Sequence, residues 1–443
     1  MIFLALIIIY ILSIILSLYL FKKTFNPLSV YSTIWFSLLA LYEIRLINYD
    51  VISLQTWVVI GGSYLAFIIG IIIPYLINGP VDLKKTVSSD EPMYKLFHDN
   101  MKLVKFIIVV FSLIGLFGAI QHWIVLLNMY GSIVEVFLHL SKIYKMRIRG
   151  ELEGVIPYLS VFSYVAVFLV AVYSAYRKKF SLLTLVPFFS IIMKGIGSVG
   201  RQGILYGFLE FFTTYVIANY YFSKFFVAKK KTNKGILVTL GLFIVLLVFS
   251  VIFIRDFRGN DESFTGETRA LQNLKGSVFI TPSIYLYLSA HVGVLNKYYE
   301  KEIQETRVGE NTFQFFYNTL SKFDITEPAQ LYQKAYYVPV WTNTGTYLRE
   351  IDADFGTSGT YLIPFLLGFL SFYYWKHFLQ TGKPIYLILL VHLFLIIWFS
   401  FLMMITRGAN WFISIGILYF VFNMIQFKSG ALIQKYSNLS WQK

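Results

Sequence analysis

"MIFLALIIIYILSIILSLYLF", residues 1–21, carries no charged side chain over a length that crosses a hydrocarbon core of about 30 Å. Its first positive charges, Lys22 and Lys23, follow the apolar run, whereas a cleaved signal peptide carries them ahead of it. The stretch therefore reads as a first membrane span with its N-terminus outside. The whole chain of 443 residues continues in that vein, 57% apolar and 14% charged where soluble domains carry about 25% charged residues. Aromatic residues reach 19%, which suits lipid contact and interfacial belts. Cysteine is absent, so disulfides, thiolate nucleophiles and Cys-ligated metals are excluded.

Apolar windows of spanning length fall near 2–21, 28–44, 54–77, 103–128, 156–176, 180–197, 202–223, 235–254, 357–375, 384–405 and 411–427, which makes eleven expected spans. Lys-bearing loops alternate with Lys-poor ones, and the positive-inside rule puts the Lys-bearing set and the C-terminus in the cytoplasm. The expected division is eight spans in 1–254, an extracytoplasmic loop subdomain over 255–356, and three spans with a cytoplasmic tail over 357–443. Within that loop, 276–295 reads as an interfacial or re-entrant helix and 311–323 as a second surface helix. The fold class expected is an all-α polytopic membrane protein.

On this topology ten of the 11 arginines lie at or beyond the outer surface, and only Arg177 is cytoplasmic. Lysine suffices for topology, whereas arginine offers a planar fork that grips phosphate or carboxylate bidentately. Arg147 and Arg149, Arg201, and Arg255 with Arg258 all abut span ends and are expected to converge on an anion. The alternative is that each simply replaces lysine as a solvated loop charge. "GSVGR", residues 197–201, forms a glycine-rich turn with Lys194 and Arg201 at its shoulders, where backbone amides and a helix N-terminus can cradle an anion or simply make a hairpin. Glu210, nine residues further on, is an acid inside an expected span and so a functional candidate or an ion-pair partner.

"NTGTYLREIDADFGTSG", residues 343–359, sets Arg349, Glu350, Asp352 and Asp354 at the lip of a greasy run. On a helix, Tyr347, Glu350 and Asp354 share one face, while Arg349 and Asp352 pair on the next. A carboxylate ordered this way can act as a general base, with Asp354, Asp352 or His291 as the proton acceptor. The same acids would also oppose the dipole of the following helix. The "DFG" and "DAD" triplets lack the companions that kinase or nucleotide-sugar sites need.

Asn343, Tyr347 and the "DFGxxG" of Asp354, Phe355, Gly356 and Gly359, together with residues 25–44 and the "GSVGR" turn, resemble the oligosaccharide repeat-unit polymerases of the Wzy type, the O-antigen polymerase family. The resemblance implies a GT-C-like helical glycosyltransferase in the bacterial inner membrane. It would join undecaprenyl-pyrophosphate-linked repeat units at the outer face into O-antigen, capsule or exopolysaccharide, without metal or cofactor. By the same resemblance Arg201, Arg255, Arg258, Arg147 and Arg149 hold the pyrophosphate, whose charge guanidinium groups stabilise as it departs. The implied partners are the lipid-linked donor and acceptor, the bilayer and a chain-length regulator, with no nucleic acid. A lipid-linked oligosaccharide flippase and an O-antigen ligase-like transferase are the competing readings; a transporter predicts internal repeats, and none is evident.

Overall fold

The structure is a computed structural model that describes residues 2–81, 91–149, 154–225, 269, 272, 282–301, 305–330 and 333–440. Among these residues the helices are α1 (Ile2–Phe21), α2 (Pro27–Ile44), α3 (Leu54–Asn78), α4 (Pro92–Asp99), α5 (Met101–Tyr130), α6 (Ile133–Leu138), α7 (Leu140–Arg149) and α8 (Val161–Arg177). They continue as α9 (Val186–Gly197), α10 (Gln202–Phe222), α11 (Pro282–Lys301), α12 (Gln314–Leu320), α13 (Tyr347–Thr381), α14 (Pro384–Phe399) and α15 (Ala409–Ser440). A short antiparallel hairpin, β1 (Tyr336–Val338) and β2 (Val340–Thr342), pairs Tyr336 with Thr342 and Val338 with Val340.

Five helices among the described residues are long and apolar enough to cross a membrane: α1, α3, α5, α13 and the Ala409–Phe427 part of α15. This overturns the expected eleven-span topology. The physical reasons differ by element. At 1.5 Å per residue, the 12 residues of α9 rise about 18 Å, and the 17 of α8 and 16 of α14 also fall short of a 30 Å core. The window at 28–44 is interrupted by Ser29, Ser32, Ser37 and Glu43, and that at 202–223 by Glu210, Thr213, Thr214 and Asn219. The window at 235–254 lies outside the described residues.

The GT-C-like architecture of about eleven spans is not the fold, which is five candidate spans combined with shorter helices packed into a helical core and a small β-hairpin. The resemblance to Wzy-type polymerases fails with it. So do the O-antigen polymerase function at the outer face of the inner membrane, and the multi-pass placement with N-terminus outside and C-terminus inside, because each depended on that count of crossings. The flippase and ligase alternatives rested on the same topology and are set aside too.

The chain divides into two compact units. In the first, comprising Met1–Asp82, Asp261–Lys376 and Leu393–Trp411, α1 turns Leu4, Ile8, Leu12 and Ile15 outward, as a lipid-facing helix does. Helix α2 begins at a reciprocal capping box, in which Asn26 accepts from the Ser29 amide at 2.9 Å and the Ser29 hydroxyl accepts from the Asn26 amide at 3.0 Å. Helices α3 and α13 cross backbone to backbone at Gly70 and Gly368. A methyl group at Gly70 would lie 2.1 Å from the Phe365 carbonyl, and one at Gly368 would lie 2.2 Å from that of Phe67. Small residues at such a crossing let van der Waals packing replace the hydrophobic drive that lipid removes.

Helix α11 begins at Pro282, inside the stretch 276–295 expected as an interfacial helix, and packs on α2. Its Tyr285 hydroxyl donates to the Leu41 carbonyl at 2.6 Å, and Asn296 accepts from the Ser53 amide at 2.8 Å. The surface helix expected at 311–323 is shorter, α12 followed by a single 3₁₀ turn.

The second unit comprises Leu83–Asn260, His377–His392 and Phe412–Lys443. Here α8 is enclosed: within Val161–Tyr176, every residue but Phe162 is buried. A helix that is apolar all round is buried either in lipid or in protein, and α8 is buried in protein. Gly115 of α5 admits it, since a methyl group there would lie 1.9 Å from the Ser163 hydroxyl.

Candidate functional site

The first two turns of α13 form a polar hub in the first unit. Successive helical residues rotate by about 100°, so its four charged side chains fan out to four different partners. Tyr347 meets Tyr31 hydroxyl to hydroxyl at 2.8 Å. Arg349, 1% exposed, donates to the carbonyls of Asn343 at 3.0 Å and Lys334 at 2.7 Å and lies over the Tyr336 ring. It thus clamps the β-hairpin to the helix, and its expected pairing with Asp352 is not among the ion pairs formed. Glu350 receives Arg407 at 2.9 Å and the Met404 amide, while Arg407 also donates to Gln314 at 2.9 Å. Breaking this half-buried pair by removing Arg407 would leave the buried Glu350 carboxylate without its counter-charge.

Asp354 is saturated. Its Oδ1 accepts from the Thr306 hydroxyl at 2.8 Å, the Asn311 amide at 2.9 Å and the Asn311 side chain at 2.8 Å. Its Oδ2 accepts from the amide and the hydroxyl of Thr312, both at 2.7 Å. A carboxylate has about four lone-pair sites, so Asp354 has no capacity left for a substrate proton. Its work is to tie the loop 305–313 to α13, helped by the Thr306 amide on the Ala353 carbonyl at 3.0 Å. That loop is stiffened by Gly309, at φ 74°, and by a forked Arg307–Glu310 pair, both bonds 2.9–3.0 Å. The Arg307 guanidinium holds the Glu310 carboxyl below the usual carboxylate range, with burial opposing.

Helix α13 then breaks at Gly356, φ 67° and ψ −175°, a conformation essentially reserved for glycine. The break opens a cavity of about 600 Å³ between Glu305, Thr306 and Val308 on one side and Asp352 through Thr357 on the other. Asp352 lines it at 1% exposure. Its Oδ2 accepts the Tyr298 hydroxyl at 2.8 Å, and its Oδ1 is buried, with the Tyr299 phenol beside the same carboxylate. Burial, and next the charge of Asp352, hold the phenol protons of Tyr298 and Tyr299 well above their usual range, so both stay neutral donors beside the carboxylate.

His291 lies in the same unit, 2% exposed, with Nδ1 donating to the Thr344 carbonyl at 2.9 Å and Nε2 buried without a partner. Burial lowers its proton affinity, so the ring is neutral at pH 7. It faces Phe401 and does not line the cavity. Asn343 contributes only its carbonyl, to Arg349.

The arginines expected to hold a diphosphate fall partly on described residues and partly outside them. Arg147 and Arg149 end α7, and Arg201 and Lys194 flank the α9–α10 turn, all in the second unit, while Arg255 and Arg258 lie outside the described residues. The turn at 197–201 is not an open amide cradle. Its Ser198, Val199 and Gly200 amides close back on the carbonyls of Lys194, Ile196 and Gly195 at 2.9–3.0 Å. Glu210, also in the second unit, is fully buried with no hydrogen bond to either carboxylate oxygen.

Tyr298, Thr306, Asn311 and Thr312 complete the site and were not legible beforehand. They lie 42–54 residues upstream of the acids they serve. The nearest signal was the turn residue Gly309 placed just ahead of "ENT". Compared with known family models, curated proteins and solved structures, the chain matches none of them.

Proposed function

We propose that the chain is a membrane-bound enzyme whose cavity at the α13 break takes a sugar-like, hydroxyl-bearing substrate, with Asp352 as the proton acceptor. The observation that carries this reading is Asp352 itself: it lines a cavity of small-molecule size, with one oxygen fixed by Tyr298 and the other buried beside the Tyr299 phenol. Such a carboxylate is oriented before substrate arrives and costs little to align. Small-molecule sites combine a few convergent polar groups with apolar walls, and Thr306, Thr357 and Asp352 beside Val308 and Phe355 make that mixture.

The reaction class we propose is transfer of a glycosyl group to the bound hydroxyl, without repeated chain growth. The hydroxyl oxygen would form the new bond to the anomeric carbon of an activated donor, whose leaving group departs with the bonding electrons. The hydroxyl proton would pass to the Asp352 carboxylate and then to water. General base catalysis of this kind contributes about 10²–10⁴-fold.

The test is transfer by the purified protein in lipid nanodiscs, offered a library of activated glycosyl donors and sugar acceptors, with products read by mass spectrometry. Transfer that falls by that factor in Asp352→Asn supports the reading. Transfer unchanged in Asp352→Asn, or no product from any pair, overturns it.

A further inference from the structure

We propose that the substrate of this cavity carries a protonated amine beside its reacting hydroxyl, as an amino sugar does, and that anionic ligands are rejected. The inference deepens the proposed function and rests on it. The walls carry three carboxylates, Glu305, Asp352 and Asp354, and no lysine or arginine among the described residues.

Nearby guanidinium groups are already engaged. Arg349 is held by two carbonyls, Arg307 by Glu310 and the carbonyls of Glu327 and Pro328, and Arg407 by Glu350 and Gln314. None is offered to a phosphate. Asp354 is shielded by its five donors, so the field in the cavity comes chiefly from Asp352 in the buried wall and Glu305 at the exposed rim. Cavities lined by one sign of charge concentrate ligands of the other sign.

The two acids differ in surroundings and so in role. Asp352 is 1% exposed, flanked by the Tyr298 and Tyr299 phenols, and suits a neutral hydroxyl donor. Glu305 is exposed at the mouth, where a hydrated ammonium keeps part of its water and still meets a counter-charge. An amine on the carbon next to the hydroxyl would reach toward the rim as the hydroxyl meets Asp352. A phosphate or carboxylate in the same place would face two like charges.

The experiment titrates methyl glucoside, methyl glucosaminide and glucose 1-phosphate into the full chain in nanodiscs, at low and high salt. For wild type, the amine is expected to bind about fivefold more tightly than the neutral sugar at low salt and to lose that margin at high salt, with the phosphate weakest. Glu305→Gln should remove the margin, weakening amine binding more than neutral-sugar binding; Asp352→Asn should weaken both sugars. Equal affinities for amine and neutral sugar, or tighter binding of the phosphate, overturn the charge selection while neutral-sugar binding keeps the hydroxyl reading alive. Absence of any sugar binding overturns both.

Discussion

The Tyr298 hydroxyl donates to Asp352 Oδ2 at 2.8 Å, joining a helix of the core, α11, to the first turns of α13 just before they break. That single bond leaves Asp352 oriented but unspent, whereas Asp354, two residues on, is consumed by five donors. Two acids of one short motif therefore divide between chemistry and architecture.

If Asp354 is architectural, its removal unfastens the loop 305–313. In Asp354→Ala the buried Asn311 and Thr312 amides lose their acceptor, and the fold should weaken by about 3 kcal/mol or more. Asp354→Asn should be nearly as damaging, because its NH₂ group meets donors. Thermal unfolding in detergent, with proteolysis of the loop as a local readout, checks this. An unshifted melting temperature with a protected loop would contradict it.

Gly356 should resist substitution for backbone reasons alone. A methyl group there meets nothing within 4 Å, yet its φ of 67° with ψ −175° costs other residues about 1–3 kcal/mol. Gly61, helical and equally open, is the control, and its alanine variant should be neutral or more stable by up to about 1 kcal/mol. Paired melting curves for Gly356→Ala and Gly61→Ala separate strain from space. Similar shifts in both would count against a strained break.

His291 sets a pH dependence. Burial lowers its pKa in the fold, so on acidification the unfolded chain takes up the proton first, beginning near pH 6.5. The contribution is complete above that value and is lost progressively as pH falls toward the folded-state pKa. The fold should be less stable at pH 5.5 than at pH 7.5, and His291→Gln should flatten that part of the profile. A profile identical in the variant would show that His291 is not the titrating group.

Much of the hub was legible because it is local. The acids at the head of α13 and the glycine that breaks it stand within one short stretch, and helical rotation predicts that they fan out. The ion pair expected between Arg349 and Asp352 failed because buried backbone carbonyls of Asn343 and Lys334 compete for the same guanidinium. The span count failed for a general reason. Hydropathy measures whether a segment avoids water, and it cannot distinguish α1, whose outer face looks away from the protein, from α8, which is enclosed by it. The partners of Asp354 were hidden because a polar loop folding back across more than 40 residues leaves no periodic trace.

The most direct test of the central claim is a calorimetric titration of a neutral methyl glycoside panel into purified wild type, Asp352→Asn and Tyr298→Phe. Wild type is expected to bind, Asp352→Asn at least about tenfold more weakly, and Tyr298→Phe with a smaller loss, because its carboxylate remains but is less firmly oriented. Equal affinity of wild type and Asp352→Asn for every glycoside would contradict it.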